Sequence, residues 1–372
     1  MRDPFPLSPP SWAYTYVQPL ASKLSLQALH LHIHEVIFAF LLYHVTNRYI
    51  SPWLGRTFFP RVYASFNPRT RLNWDVHVVS FVQSTLINIL ALWVILSDDE
   101  RATMSWQEKI WGYTGGSGLI QGFAMGYFVW DLWITVMNLK VFGIGMLAHA
   151  VSALFVFSLG FRPFVTHYAP IFILYELSSP FLNIHWFCDK LNMTGSKLQL
   201  YNGILLLLTF FSARLVFGTY QSIRVFTDIY TALTSDGFAY ELDGKHATGA
   251  HDADIMQFAM HERHVPLWLA GCYLASNLTL NGLNWFWFGK MIETLRKRFD
   301  PPFGTRKTIQ MPEKPAEEDF LVEGTHLETP GAKQREGDDY LGNTSSIRVE
   351  KERAGRELNV REMKINGVRR RG

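Results

Sequence analysis

Residues 115–161, GGSGLIQGFAMGYFVWDLWITVMNLKVFGIGMLAHAVSALFVFSLGF, decide the fold of this chain. The stretch contains two long apolar windows that meet at a short turn near Lys140. Each window is close to the roughly 20 residues that an α-helix needs to cross the hydrocarbon of a bilayer. Two of its few polar residues, Asp131 and His149, are ionisable. The stretch therefore predicts a transmembrane helical hairpin that carries ionisable groups inside the membrane.

Seven apolar windows of similar length follow one another along the chain: 28–50, 76–97, 115–139, 142–161, 164–184, 198–220 and 265–289. Only a local analysis finds them, because the overall composition, 48% hydrophobic and 18% charged, is close to that of a soluble domain. We predict an all-α fold, a polytopic transmembrane helical bundle of about seven spans. An interfacial helix is the alternative for the first window, which is interrupted by His30, His32, His34, Glu35 and His44.

The sequence divides into three segments. Residues 1–69 contain the first span and a basic loop, residues 70–295 form a membrane domain with six transmembrane helices, and residues 296–372 form a polar tail. The tail has little apolar surface to bury, so we predict that it is disordered. Its last residues, Arg369 to Gly372, are either a charged end or a basic retrieval signal for the endoplasmic reticulum.

The positions of Lys and Arg predict the orientation of the spans. Basic residues follow the first and last windows, at Arg48, Arg56, Arg61, Arg69, Arg71, Arg296, Lys297 and Arg298. The loop 221–264 is instead acidic. Because basic residues favour the cytosolic side, the N-terminus and the acidic loop are predicted to be lumenal and the tail cytosolic. The net charge of +3 therefore reflects topology, and we expect no nucleic-acid partner.

Ionisable residues in three consecutive windows predict one shared polar pocket. Asp131 and His149 each lie nine residues from Lys140, which is about 13 Å along a helix, so they should meet near the middle of the membrane. Glu176 in the next window should lie at a similar depth. Ionisable groups at such a depth usually face the interior of a bundle.

Further polar residues are expected around this pocket. Ser179 and Asn183 continue the helix face of Glu176 at i+3 and i+7, and Asn281 occupies the same predicted layer from the last window. We assign these residues, together with Asn202 of the sixth window, to the pocket as lipid-contacting groups. The alternative is that they only connect the helices to one another, since buried polar groups in membranes need partners whether or not they have a function.

Three other features of the windows are expected to be structural. Arg214 should extend its stem to the lumenal interface. The glycines that open the third window, at 115, 116 and 118, should allow either flexibility at the helix start or close helix packing. Cys188 and Cys272 have neither a disulfide pattern nor a metal-binding spacing, and we expect no metal site and no cofactor.

Several blocks of this sequence resemble the TLC-domain family, which includes the translocating-chain-associating proteins, the Lag ceramide synthases and the Cln lipid regulators. They are NWDVHVVSFVQS (73–84), GYFVWDL (126–132), LAHAVSAL (147–154), YELSSPFLNIHWF (175–187), NGILLLLTFFSARL (202–215) and NGLNWFWFGKM (281–291). The resemblance covers about residues 70–295 and is closest to the small TLC-domain-containing proteins. It implies a multi-pass protein of the endoplasmic reticulum that handles sphingolipids, fatty acyl chains or phospholipid composition.

The resemblance leaves two function classes open. The first is a protein of lipid homeostasis that binds or senses membrane lipids or regulates their composition, with membrane lipids as its partners. The second is a ceramide-synthase-like N-acyltransferase that uses acyl-CoA as a substrate, with His149 as the base and a carboxylate, Asp131 or Glu176, orienting it. Ceramide synthases share a His–His pair, whereas this chain has His149–Ala150, and Gln83 stands where the small branch often has His. Homodimerisation is left open by the sequence.

The arginine distribution gives a testable topology. An N-glycosylation site engineered into residues 236–254 should be modified and one within 310–340 should not, because only a lumenal loop reaches the glycosylation machinery. The native Asn343–Thr344–Ser345 should also stay unmodified. A gel-mobility shift that a glycosidase reverses measures the modification, and the opposite pattern would invert the predicted orientation.

Overall fold

The computed structural model describes residues 1–235, 255–258 and 265–299, with side chains described as far as residue 294. These residues belong to one compact unit, Met1–Glu328. Most of them are helical, which confirms the predicted helical class. The backbone of two short strands is also described, β1 (Phe320–Val322) and β2 (Thr325–Leu327), which pair antiparallel with Phe320 opposite Leu327.

The α-helices of the described residues are, in chain order, α1 (Gln18–Lys23), α2 (Leu29–Val45), α3 (Ser51–Phe58), α4 (Pro60–Ser65), α5 (Pro68–Ser97), α6 (Asp99–Ala102), α7 (Trp106–Trp111), α8 (Gly115–Met137), α9 (Leu139–Leu159), α10 (Ala169–Phe172), α11 (Ser179–Lys190), α12 (Lys197–Thr209), α13 (Gly218–Thr234) and α14 (Leu267–Phe299). Segments of π-helix are Ala13–Val17, Thr46–Ile50 and Phe210–Phe217, and segments of 3₁₀-helix are Thr166–Tyr168 and Ile173–Ser178.

Five helical segments of the described chain are long and apolar enough to cross a membrane: Leu29–Phe58, Pro68–Ser97, Trp106–Met137, Leu139–Leu159 and Lys197–Thr234. They correspond to five of the seven predicted windows. The last window, 265–289, lies within the 33-residue helix α14 except for its first two residues. Seven spans stay a prediction, since length and composition support five.

The window 164–184 does not form the single continuous α-helix that the sequence predicted, because its helix type alternates. It consists of the 3₁₀ segment Thr166–Tyr168, α10, the 3₁₀ segment Ile173–Ser178 and α11. Proline explains the breaks, because its ring fixes φ and it has no N–H to donate inside a helix. Pro170 and Pro180 accordingly lie in the first turns of α10 and α11.

Two predicted segment boundaries also change. The acidic loop was expected to begin at residue 221, but α13 continues to Thr234 because Val225 and Ile229 are buried on one of its faces. The rest of that loop, 236–254 and 259–264, lies outside the described residues. Helix α14 ends at Phe299, inside the predicted tail, and beyond it only the pair β1–β2 is described.

Helix α2 packs along α8 through a row of glycines. Gly118, Gly122 and Gly126 lie at i, i+4 and i+8 and therefore face the same way. A Cβ at these positions would lie 2.1 Å from His32 Nε2, 2.7 Å from Glu35 Oε2 and 2.6 Å from the Val36 carbonyl oxygen, respectively. Glycine therefore permits an approach that no other residue allows. The expected close packing is confirmed at Gly118 and continues for two further turns.

The main apolar core lies where α2, α5 and α8 meet. Tyr43, Ile87 and Trp130 from these three helices are fully buried there. The glycine row adjoins this core, because the Cβ of Ala39, another core residue, would lie 2.6 Å from a Cβ at Gly126. The first window is thus a packed helix of the bundle.

Replacing Gly126 by alanine should destabilise the bundle. The new methyl group would meet the backbone of α2, which cannot yield as a flexible side chain can, so we expect a loss of about 1–3 kcal/mol. Melting of the detergent-solubilised full-length protein measures it. Gly282→Ala on α14 is the control, since its Cβ would meet nothing within 4 Å. Equal melting temperatures for both variants would contradict the packing described.

Candidate functional site

A cavity of about 480 Å³ lies inside the bundle. Its walls come from α5, α8, α9, α10, α13, α14 and the 3₁₀ segments of 166–178, and most of its lining side chains are aliphatic or aromatic. Asp131, His149 and Glu176 all line it. The structure therefore brings together the three ionisable residues that the sequence assigned to one pocket, while their roles stay predictions.

Asp131 and His149 face the cavity without contacting each other. Asp131 is 3% exposed, and it forms no hydrogen bond or ion pair with any other described residue. His149 is half-buried and likewise makes none with the described residues. The orienting contact from Asp131 to His149 that the catalytic hypothesis requires is absent from the described residues.

Two further polar atoms of the cavity wall have no partner among the described residues. They are Gln83 Oε1 and Thr166 Oγ1, both of them buried. Gln121, in contrast, donates from its amide to the carbonyl oxygen of Phe157. An unpartnered buried polar group costs about 1–3 kcal/mol. The wall therefore offers polar groups that a ligand or water inside the cavity can satisfy.

A buried arginine supports the Glu176 side of the cavity. Arg214 is fully buried in the π segment Phe210–Phe217, and its Nη2 lies 3.9 Å from Glu176 Oε1. It also donates to Asn284 Oδ1 at 3.2 Å, Ser178 Oγ at 3.2 Å and Ser179 Oγ at 3.4 Å. The prediction that Arg214 reaches the lumenal interface is wrong, because these partners satisfy the guanidinium inside the bundle.

Asn183 connects this network to a buried histidine. Its Oδ1 lies 2.8 Å from His77 Nδ1, and its Nδ2 donates to Ser80 Oγ and to the Ser179 carbonyl oxygen, each at 3.0 Å. The His77 ring stacks on Trp186 with the ring centroids 3.9 Å apart. Ser179 and Asn183 thus lie in a hydrogen-bond network between α5 and α11, and neither is among the lining residues of the cavity.

The other two predicted pocket asparagines connect helices. Asn202 donates to the Phe181 carbonyl oxygen at 2.7 Å, which joins α12 to α11. Asn281 donates to Ser222 Oγ at 2.9 Å, which joins α14 to α13. Neither lines the cavity, whereas Asn277, one turn before Asn281, does.

The sequence analysis missed His77, although a signal for it exists. Helix α5 carries a stripe of polar residues at spacings of three and four, all of them buried: Asn73, His77, Ser80, Ser84 and Asn88. In an apolar window, such a stripe indicates a helix face that turns toward polar partners in the bundle. In predicting the pocket residues, the polar stripe of the window 76–97 was not used; only its apolar length and Gln83 were considered.

The position of this site within the chain agrees with a known domain. The sequence profile of the TLC domain matches residues 73–293, which contain the cavity-lining residues and the Arg214 network. The chain belongs to the TLC domain family. Its apolar helices and this domain make it a membrane protein.

Relatives of this TLC protein match between 50% and 76% of its chain. A TLC domain-containing protein of Schizosaccharomyces pombe is 35% identical over 76% of this chain and 85% of its own length. Topoisomerase I damage affected protein 4 of Saccharomyces cerevisiae is 25% identical over 73% of this chain and 86% of its own length. Human TLC domain-containing protein 4 is 29% identical over 50% of this chain and 75% of its own length. The first and the third of these relatives are TLC domain-containing proteins by name, the group that the sequence blocks resemble.

Removing the Arg214 charge should destabilise the protein strongly. Arg214→Met leaves the buried partners unsatisfied, and breaking a buried pair in this way costs about 3–5 kcal/mol. Adding Glu176→Gln should restore part of the loss, because it removes the uncompensated carboxylate. Thermal melting of solubilised protein measures both effects.

Arg224→Met is the matched control for this experiment. Arg224 is an exposed arginine on α13 that contacts Tyr220, and its loss should change stability by less than about 1 kcal/mol. If Arg214→Met melted like Arg224→Met, the buried network would not contribute to stability as described.

Proposed function

We propose that this protein binds a membrane lipid in the cavity between α5, α8, α9 and α14 and acts in lipid homeostasis, by binding or sensing lipids or by regulating membrane lipid composition. The cavity is the observation that carries the proposal. Its volume of about 480 Å³ lies within the range of roughly 300–1,000 Å³ that is common for small-molecule sites. Mostly apolar walls with a few polar groups suit a molecule that is itself mostly hydrocarbon.

The polar groups of the wall indicate which part of a lipid would lie beside them. Asp131 and Gln83 present oxygen atoms as acceptors, and Thr166 presents a hydroxyl. A lipid group with hydroxyl or amine hydrogens would satisfy these acceptors, while its chain lies among aromatic side chains such as Tyr127 and Phe157. The lipid thereby removes the desolvation cost of the unpartnered atoms.

A second function, N-acyl transfer from acyl-CoA, is favoured by one observation, the presence of His149 on the cavity wall. Three others weigh against it. Ala150 follows His149 where ceramide synthases have a second histidine. No described contact lets Asp131 orient the imidazole. None of the described lining residues is Lys or Arg, the side chains that would bind the CoA phosphates.

We also propose that the protein resides in the endoplasmic reticulum membrane, with the part of the acidic loop that follows α13, residues 235–264, in the lumen and the tail in the cytosol. The positions of the basic residues and the family resemblance support this location.

Filling the cavity should expel its lipid. Ala153→Phe places a ring among the lining residues, and we expect at least about fivefold less co-purified lipid per protein, since a bound acyl chain and the ring compete for the same volume. Ala148→Phe on the same helix is the matched control, because Ala148 is exposed and does not line the cavity. Quantitative lipid mass spectrometry after purification measures the occupancy, and equal lipid content in both variants would contradict the proposal.

The same preparations separate the two functions. Wild-type protein given acyl-CoA and a sphingoid base should form no amide, and His149→Ala should alter the retained lipid. Amide formation by the wild type that His149→Ala abolishes, in a protein that still elutes as a single folded species, would establish the acyltransferase instead.

A further inference from the structure

A second polar cluster lies at the start of α2, apart from the cavity. His32, His34 and Glu35 come from this helix, and Asp3 comes from the segment before α1. None of the four lines the cavity. The sequence analysis treated the residues of α2 as interruptions of an apolar window and predicted no metal site. Their arrangement gives them a different significance.

The four side chains converge on a small volume. One ligand atom each from Asp3, His34 and Glu35 lies within 4.8 Å of the other two. His32 Nδ1 lies 2.8 Å from Glu35 Oε1 and 3.8 Å from Asp3 Oδ2. Ligands of a tetrahedral Zn²⁺, each about 2.0–2.1 Å from the ion, lie about 3.3 Å from one another. The His32–Asp3 pair is therefore about 0.5 Å wider than in such a shell, and the atoms of Asp3, His34 and Glu35 are at most about 1.5 Å wider.

The surroundings hold these groups as a metal site requires. His32 and Glu35 are fully buried against Gly118 and Gly122. His32 presents Nδ1 to the cluster while its Nε2 lies 2.5 Å from the hydroxyl of Tyr113. Metal-binding histidines usually fix their second ring nitrogen through such a hydrogen bond, which orients the ring.

Some polar atoms of the cluster have no partner among the described residues. Glu35 Oε2 and His34 Nδ1 are buried and make no described hydrogen bond. The other nitrogen of His34, Nε2, lies 4.0 Å from Glu35 Oε1 and 2.8 Å from the carbonyl oxygen of Leu7, so an ion bound by Nε2 would replace its hydrogen bond to Leu7. A buried carboxylate oxygen or imidazole nitrogen without a partner reduces the stability of the fold unless a cation or a hydrogen-bond donor contacts it.

Charge favours a divalent cation at this position. Asp3 and Glu35 bring two carboxylates close together in a poorly solvated environment, where like charges disfavour each other. Neutral imidazoles from His32 and His34 add no charge of their own. A divalent ion would neutralise both carboxylates, and a mixed set of two imidazoles and two carboxylates suits Zn²⁺.

We propose that Asp3, His32, His34 and Glu35 bind one divalent transition-metal ion, Zn²⁺ in the first instance, and that this ion fixes the N-terminal segment to α2. The site is independent of the lipid cavity. Gly118 and Gly122 of α8 make room for its two buried members, His32 and Glu35.

Metal analysis of the full-length protein tests this proposal. The protein is purified in detergent through a tag without histidine, and its zinc content is measured by mass spectrometry. It is then stripped with a chelator and titrated with ZnCl₂ while its melting temperature is recorded. We expect about one zinc per chain and a rise in melting temperature upon zinc addition. His34→Gln and Asp3→Asn should each weaken zinc binding at least about tenfold.

His44→Gln is the matched control, since His44 lies on the same helix and stacks on Phe40 outside the cluster. It should retain zinc as the wild type does. Two variants in separate segments guard against a loss caused by misfolding, and a monodisperse elution profile confirms that each is folded. A wild type that takes up no zinc, or zinc that both cluster variants retain, would overturn the proposal, and so would equal loss in His44→Gln.

Discussion

The requirement that polar groups inside a membrane find their partners within the protein governs this structure. Arg214 is the clearest example of this requirement. Its fully buried guanidinium lies near the Glu176 carboxylate and donates hydrogen bonds to Ser178, Ser179 and Asn284. These contacts tie the broken segment 166–178 and α11 to the π segment after α12 and to α14. Without them, a charge on an apolar helix would have to reach the interface. The same network holds Glu176 at the cavity wall.

The cavity wall is one of the places where the described residues do not meet that requirement. Arg214 and Asn183 each contact several protein groups, whereas Asp131, Gln83 Oε1 and Thr166 Oγ1 have no hydrogen-bond partner among the described residues. Such a contrast inside one bundle separates groups that stabilise the fold from groups available to a ligand. It is the physical basis for assigning lipid binding to this cavity, and it also distinguishes Asp131 from the asparagines, which connect helices.

Apolar length and the family blocks predicted the helical class and the positions of most long helices, because these depend on local hydropathy. They also predicted that Asp131, His149 and Glu176 lie around one pocket, because residues at a similar depth in neighbouring helices come close together. They did not predict the partners of Arg214, since a helical period gives a face but not the neighbour that it meets. The window 164–184 was mistaken because its apolar composition concealed the effect of Pro170 and Pro180. From the sequence, His32 and Glu35 were interpreted as interruptions of an apolar span. The glycines that they pack against lie on a different helix, α8, so the sequence of α2 alone gives no sign of this contact.

The most direct test is a cryo-electron microscopy map of the full-length protein in lipid nanodiscs, examined at the cavity. The account predicts an elongated density among the aromatic side chains, with its polar end within hydrogen-bond distance of Asp131. A cavity filled by its own side chains, with Asp131 paired to His149 or to another protein group, would contradict it.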